Sequence, residues 1–316
     1  MEQILLNCVY FILSALLLWF GAEWIVESAS AIARKFKVSE LVIGLTIVAL
    51  GTSAPEFLVT VTAAFQGVAD ISLSNVVGSN IFNLGFILGS MALIKPIPTN
   101  PALVYQGGLV LFVVTVLMLL MGQDSLLGLY DGIFLMSCLG TYIIFLFYSA
   151  RKGNANLPVE LCEGDECRVA DWKDYPKLIL GFAAIAGGGH LMVTAATDMA
   201  LMLGVSRWVI GVTIVAAGTS LPELVTCLAA ARKGRNDMLL GNLLGSDFFN
   251  FAGVLGLTCL MRPLAISPEA MPNLYLLVGM VGVVIIFMRT GWRISRWEGA
   301  LLVGVNLVRW GMDFYK

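Results

Sequence analysis

Ten apolar stretches run along the chain, separated by short polar segments and one long one. The first five lie near 4–33, 39–66, 71–94, 102–121 and 127–150, and the last five near 177–203, 206–232, 238–261, 271–289 and 297–315. Most are close to the ~20 residues that carry a helix through a ~30 Å hydrocarbon layer. Alternating segments of about ten residues, the mark of a membrane β-barrel, are not evident. The pattern predicts an all-α polytopic membrane protein of ten transmembrane helices. Residues 1–150 form a first five-helix group, 151–176 a charged linker, and 177–316 a second five-helix group.

Composition agrees. The chain is 59% hydrophobic and 13% charged, against about a quarter charged in soluble domains. Its N-terminus enters an apolar segment without a basic stretch or a small-residue cleavage site, which predicts a first span rather than a removed signal peptide. The net charge of −2 points to no nucleic acid. Cys8, Cys138, Cys227 and Cys259 fall in apolar stretches and read as packed thiols. Cys162 and Cys167 flank Glu163-Gly164-Asp165-Glu166 in the linker, and two thiols fall short of a structural zinc site.

Polar residues inside the apolar stretches change the picture most. Gly51-Thr52-Ser53-Ala54-Pro55-Glu56 recurs as Gly218-Thr219-Ser220-Leu221-Pro222-Glu223, an offset of 167 residues. The offset holds without a gap from Val42/Val209 to Asn83/Asn250, with 22 of 42 pairs identical. Weaker matches extend it to Gly21/Gly188, Pro96/Pro263 and Asp131/Glu298. Because five spans is an odd number, the second half must enter the bilayer in the opposite orientation, an inverted-topology repeat typical of secondary transporters. Charge tests this independently. With both termini outside, 15 of the 19 Lys and Arg fall in inward loops and 4 in outward ones, as the positive-inside rule requires. The linker is then cytoplasmic.

The repeated hexapeptide has the chemistry of a cation site. Pro55 and Pro222 cannot donate to the carbonyls of Gly51 and Gly218, so spans two and seven are expected to break or kink there. Freed carbonyls in a bilayer need a partner, and in transporters a bound cation is often that partner. Thr52, Ser53 and Glu56 share one helix face, as do Thr219, Ser220 and Glu223. Span three offers Asn75, Ser79 and Asn83 at i, i+4 and i+8, and span eight offers Asn242, Ser246 and Asn250 at the same spacing. An all-oxygen donor set suits hard cations such as Ca²⁺, Na⁺ or Mg²⁺. An acid at mid-membrane costs roughly 2.5–3.5 kcal/mol on insertion scales, so two of them call for bound cations, protons or both.

These segments resemble the cation/calcium antiporter superfamily, which includes the sodium/calcium exchangers. The residues that carry the likeness are Gly-Thr-Ser-Ala-Pro-Glu followed by Val77–Asn83, and Gly-Thr-Ser-Leu-Pro-Glu followed by Leu244–Asn250. Length, span count and the short loop resemble the prokaryotic branch, which implies a plasma-membrane protein. The resemblance implies electrogenic exchange of Na⁺ for Ca²⁺ by alternating access, with the first and sixth helices sliding against a core. It implies Glu56 and Glu223 as central ligands. Thr52, Ser53, Ser79, Thr219, Ser220 and Ser246 would supply oxygens, and Asn83 and Asn250 would complete the ring. No organic cofactor or protein partner is implied. Some relatives, including potassium-dependent ones, carry Asp where Asn250 stands, so its absence argues against K⁺ co-transport. Asp247 stands where the first repeat has Asn80, and relatives commonly have Asn there, which makes Asp247 a modifier of the site.

Other polar positions read more plainly. Glu23 and His190 match under the offset and are expected to face a vestibule or a neighbouring helix. Glu27 and Asp198 lie nearer helix ends. Asp131 and Glu298 begin spans five and ten, where acids complement the helix dipole. A cation/H⁺ antiporter using the same carboxylates is the nearest alternative. The inverted halves argue against a channel, and an enzyme is disfavoured by the lack of an H-E-x-x-H motif or a P-loop.

Overall fold

The computed structural model describes residues 2–65, 69–153, 168–202, 216–266 and 270–314. Helix α1 is Glu2–Phe36; α2 (Glu40–Thr52) and α3 (Ala54–Phe65) are two halves bent by 48°. Helix α4 runs through Ala69–Phe82, Asn83–Ile87 and Leu88–Ile94, and α5 through Leu103–Gly108 and Leu109–Met121. Helix α6 is Leu129–Gly153 and α7 is Asp174–Met202; α8 (Ala216–Gly218) and α9 (Leu221–Arg232) follow. Helix α10 runs through Asn236–Phe249, Asn250–Leu255 and Gly256–Met261, followed by α11 (Met271–Arg289) and α12 (Arg296–Phe314). Among the described residues, seven helices are long and apolar enough to cross a membrane, eight if the bent pair counts as one. Linker residues 154–167, with Cys162 and Cys167, and the start of the seventh predicted span lie outside the described residues.

The helices follow the apolar stretches closely, and the departures have local causes. Helix α7 begins at Asp174, inside the predicted linker. The carboxylate of Asp174 accepts from the amide of Asp171 at 2.7 Å and meets Nη2 of Arg168 at 2.6 Å, which fixes the first turn. Asp131 and Glu298 act as expected: the former accepts from the Gly128 amide at 2.7 Å, the latter from the Ser295 amide at 2.6 Å. Each satisfies a backbone donor just ahead of the helix, the back half of a capping box. Among the described residues, four stretches are wound as π-helix: Gly44–Val48, Asn83–Ile87, Leu103–Gly108 and Asn250–Leu255. Such turns are often found at functional sites.

Helices α4 and α10 form the core. In their most apolar windows 72% and 83% of residues are buried, against 17–44% in the other long apolar helices. This explains why the polar residues of α4 and α10 are inaccessible while much of α1 and α6 presents Leu, Ile and Phe outward.

Contacts recur under the 167-residue offset with partners exchanged. Strand β1 (Ile97–Pro98) pairs antiparallel with β4 (Arg293–Ile294), and β2 (Leu126–Leu127) with β3 (Leu264–Ala265). Ile97 meets Ile294 in the first, and their offset equivalents Leu264 and Leu127 meet in the second. A Cβ on Gly21 would lie 2.9 Å from the carbonyl of Gly181, and one on Gly188 would lie 3.1 Å from that of Ser14. Such exchange is what a two-fold relation between the halves produces. The cationic segments also gather at one end of the bundle. Ion pairs and hydrogen bonds there join Arg34, Glu40, Arg168, Lys177, Lys233 and Arg235, and Asn100 binds Asp237 at 3.0 Å. At the other end, Arg262 reaches the carbonyl of Phe65 at 3.0 Å.

A close backbone approach in the core is between α2 and α10. A Cβ on Gly245 would sit 2.7 Å from both Cα and O of Leu45, neither of which can rotate away. Gly245→Val should therefore cost about 1–3 kcal/mol or more through overpacking. Gly140→Val, with nothing within 4 Å, should be near neutral. Thermal unfolding of the two purified variants in one detergent checks the contrast.

Candidate cation site

Both helix breaks fall on a serine. Ser53 (φ −80°, ψ 8°) separates α2 from α3, and Ser220 (φ −91°, ψ 9°) precedes α9. Proline follows two residues later, in the first turn, where a missing N–H costs nothing. Glu56 and Glu223 then stand in the first turns of α3 and α9. A carboxylate there lies at the positive end of the half-helix dipole. The hexapeptide thus makes a new helix N-terminus inside the protein and places an acid on it.

The two acids are braced across the repeat. Ser220 Oγ donates to Glu56 Oε1 at 3.1 Å, and Ser53 Oγ lies at donating distance from Glu223 Oε1 at 3.2 Å. Ser246 Oγ, from α10, reaches the same Glu223 oxygen at 2.9 Å and lies 2.6 Å from Ser53 Oγ. Two hydroxyl protons can serve only two of these three contacts. Thr52 Oγ1 donates toward Asn242 Oδ1 at 3.1 Å and toward its own Ala49 carbonyl at 3.2 Å. Glu56, Glu223, Thr52, Ser53, Ser220, Asn242 and Ser246 have no exposed surface.

A second ring joins α4 to α10. Asn83 Nδ2 donates to Asp247 Oδ1 at 2.9 Å, Asn80 Nδ2 to the Asp247 carbonyl at 3.1 Å, and Asn250 Nδ2 to Asn80 Oδ1 at 3.0 Å. The Asp247 backbone carbonyl accepts only, which fixes the Asn80 amide. A carboxylate form of Asp247 turns the Asn83 nitrogen toward it in the same way. The Asn80 oxygen then faces Asn250. The oxygens of Asn83 and Asn250 are left over.

Those leftovers define the chemistry. Glu56 Oε2, Glu223 Oε2, Asp247 Oδ2, Asn83 Oδ1 and Asn250 Oδ1 are buried acceptors without a hydrogen-bond partner among the described residues. Thr219 Oγ1 joins them. A buried unsatisfied polar group costs about 1–3 kcal/mol, more when charged. Oxygens without a donor, gathered on residues that already bind one another across the repeats, are what a hard cation requires.

Nearly all the residues picked out by sequence meet in these networks. Ser79 differs: its Oγ turns back to the carbonyl of Asn75 at 2.7 Å, whereas its equivalent Ser246 faces Glu223. Asn75 binds Thr60 Oγ1 at 3.1 Å, and Asn242 binds Cys227 Sγ at 3.6 Å in the equivalent place. Among the described residues, no three His, Cys, Asp or Glu side chains form a group placed to hold a metal ion. Sequence reasoning missed Asn80 as a ring member; its match to Asp247 under the offset was the available signal. Glu23 lies 3.8 Å from Arg232 beside a cavity of about 210 Å³, with Arg232 stacked over Trp19. His190 is exposed.

Comparisons with known proteins give the family. The profile of the sodium/calcium exchanger protein family matches residues 6–150 and 176–308. The chain is 34% identical over 337 residues to the sodium/calcium exchanger MaX1 of Methanosarcina acetivorans, covering 95% of this chain and 96% of that one. It is 33% identical over 319 residues to the inner membrane protein YrbG of Escherichia coli, covering 98% of each. Among solved structures, the sodium-calcium exchanger NCX_Mj soaked with zero Na⁺ and Ca²⁺ matches with a TM-score of 0.84 at 32% identity, over 96% of this chain and 98% of that one. The chain belongs to the sodium/calcium exchanger family, and is a multi-pass membrane transporter rather than an enzyme.

Proposed function

We propose that this protein is a secondary antiporter exchanging Na⁺ for Ca²⁺. The observation that carries the reading is the pair of fully buried glutamates, each held on one oxygen by a serine of the other repeat and left bare on the second. Two carboxylates balance one Ca²⁺, and the same oxygens can divide among several Na⁺. Thr52, Ser53, Ser79, Thr219, Ser220 and Ser246 supply hydroxyl or backbone oxygens, and Asn83 and Asn250 complete the shell. The protein spans the prokaryotic plasma membrane ten times, as two inverted five-helix halves, residues 1–150 and 177–316, around a cytoplasmic linker, with both termini outside. The exchanged contacts between the halves and the cation-rich end of the bundle support that arrangement. Alternating access follows from α1 and α7 moving together across the fixed core of α4 and α10. The cargo ions need no organic cofactor.

Vesicles loaded with Na⁺ should take up Ca²⁺ when external Na⁺ is removed, and Glu56→Gln or Glu223→Gln should abolish uptake. Uptake indifferent to the Na⁺ gradient removes Na⁺ coupling. Uptake that instead tracks a pH gradient in Na⁺-free buffer identifies the protons of the same carboxylates as the counter-substrate.

Ion binding should also show in stability. A ligand at 100 times its Kd stabilises the folded state by about 2.7 kcal/mol. Ca²⁺ should raise the unfolding temperature of the wild type, chelation should reverse the rise, and both Glu→Gln variants should lose it.

Asp247→Asn keeps an acceptor for Asn83, so the variant should fold with little loss. Asp247→Leu strands the Asn83 amide in the core and should cost about 1–3 kcal/mol. Denaturation of the two variants in detergent compares them.

A further inference from the structure

The cationic end of the bundle holds a second feature that the exchange reaction does not use. Between α1, the end of the linker and the α9–α10 turn lies a cavity of about 560 Å³, lined by Val26, Ala31, Ser30 and five charged residues. Four are cations, Arg34, Arg168, Lys233 and Arg235, and one is an acid, Glu27. Glu27, which pairs with one of them, lines the cavity, whereas the acids that hold two others do not. Arg168 is held by Asp174 at 2.6 Å, and Arg235 by Glu40 at 3.0 Å. Glu27 is shared between Lys177 and Lys233, each at 2.6 Å. The Arg168 side chain remains 53% exposed, and those of Lys233 and Arg235 just over a quarter. Cations pre-positioned by carboxylates, with donors still turned to an open cavity, form a receptor for a compact multi-oxygen anion.

The surroundings give the height of this cavity. Phe36 and Trp172 are strongly exposed and Tyr175 partly so, with Lys35 5.1 Å over the Tyr175 ring. Exposed aromatic residues beside basic ones mark the level of lipid headgroups. Basic pockets between helices on the positive side of a membrane protein fit anionic headgroups.

We propose that this cavity binds a phosphate group, carried by an anionic phospholipid or by a free phosphate compound. Binding there would join α1, α7 and the α9–α10 turn, and so would act on the exchanger without entering the cation site.

The test uses the full chain in detergent, mixed with phosphatidylglycerol and phosphatidylcholine of the same acyl chains and read by native mass spectrometry. The variant Lys233→Gln/Arg235→Gln removes two lining cations while leaving Glu27 with Lys177 and Glu40 with Arg34. Lys95→Gln/Arg293→Gln removes the same charge at exposed positions elsewhere. The wild type and the control should retain phosphatidylglycerol over phosphatidylcholine, and K233Q/R235Q should lose roughly thirtyfold in that retention. Should the double variant fail to fold, Lys233→Gln alone replaces it, with a smaller loss in the same direction. Sodium phosphate that binds and displaces the lipid identifies the free anion as ligand; lipid retained against sodium phosphate identifies the headgroup. If the wild type binds neither, or K233Q/R235Q retains lipid as well as the control, the proposal is overturned.

Discussion

Two carboxylates without exposed surface, each on the first turn of a helix that starts inside the protein, set the terms for everything around them. Desolvating an ionised acid is expensive, and the protein answers in three ways. A half-helix dipole points its positive end at each glutamate. A serine from the opposite repeat binds one oxygen. The second oxygen is left without a protein donor. Had the fold supplied donors to both oxygens, the acids would be structural. Leaving one bare is the feature on which the proposed exchange of cations rests. The close packing of α2 against α10, where Gly245 allows backbone contact, brings Ser246 within 2.6 Å of Ser53.

The two halves satisfy the same constraint unequally. Thr60 and Cys227 occupy equivalent places against Asn75 and Asn242, but a hydroxyl is a far better acceptor than a thiol. Ser79 serves its own helix while Ser246 serves Glu223. The largest difference is Asn80 against Asp247. The backbone carbonyl at 247 orients Asn80, and through it Asn250, whichever residue stands there. An Asn at 247 would leave the Asn83 amide free to turn either way, whereas a carboxylate draws its nitrogen and leaves its oxygen unengaged. The asymmetry that the sequence marks as a departure therefore has a definite consequence for which atoms remain available.

How much of this was legible in the chain depended on range. The repeat, the helix breaks and the helix-starting acids Asp131 and Glu298 are local or periodic signals, and the structure carries them at or near the positions read from sequence. The π-wound stretches were not legible, because an extra residue in a helical turn is set by packing of neighbours such as the ring at Asn83 and Asn250. The strand pairs β1–β4 and β2–β3 are two residues long and join segments far apart in the chain, too short to leave a pattern. Glu27 read only as an acid near a helix end. Its two lysines come from residues 150 and 206 positions away, and nothing near Glu27 announces them.

That pairing bears on movement. If α1 and α7 travel as one body, the bond from Glu27 to Lys177 is internal to the moving pair and survives the motion. The bond to Lys233, at the end of α9, joins the moving pair to the fixed part and must stretch or break, as must the contact of Glu23 with Arg232. Partly exposed ion pairs of this kind are typically worth about 0–1 kcal/mol. They are too weak to lock one state, yet together they bias it. The buried glutamates cannot play that part, since their bracing serines come from the opposite repeat and sit inside the core. On the proposed function, strong constraint is kept where ions would bind, and weak constraint where helices would part.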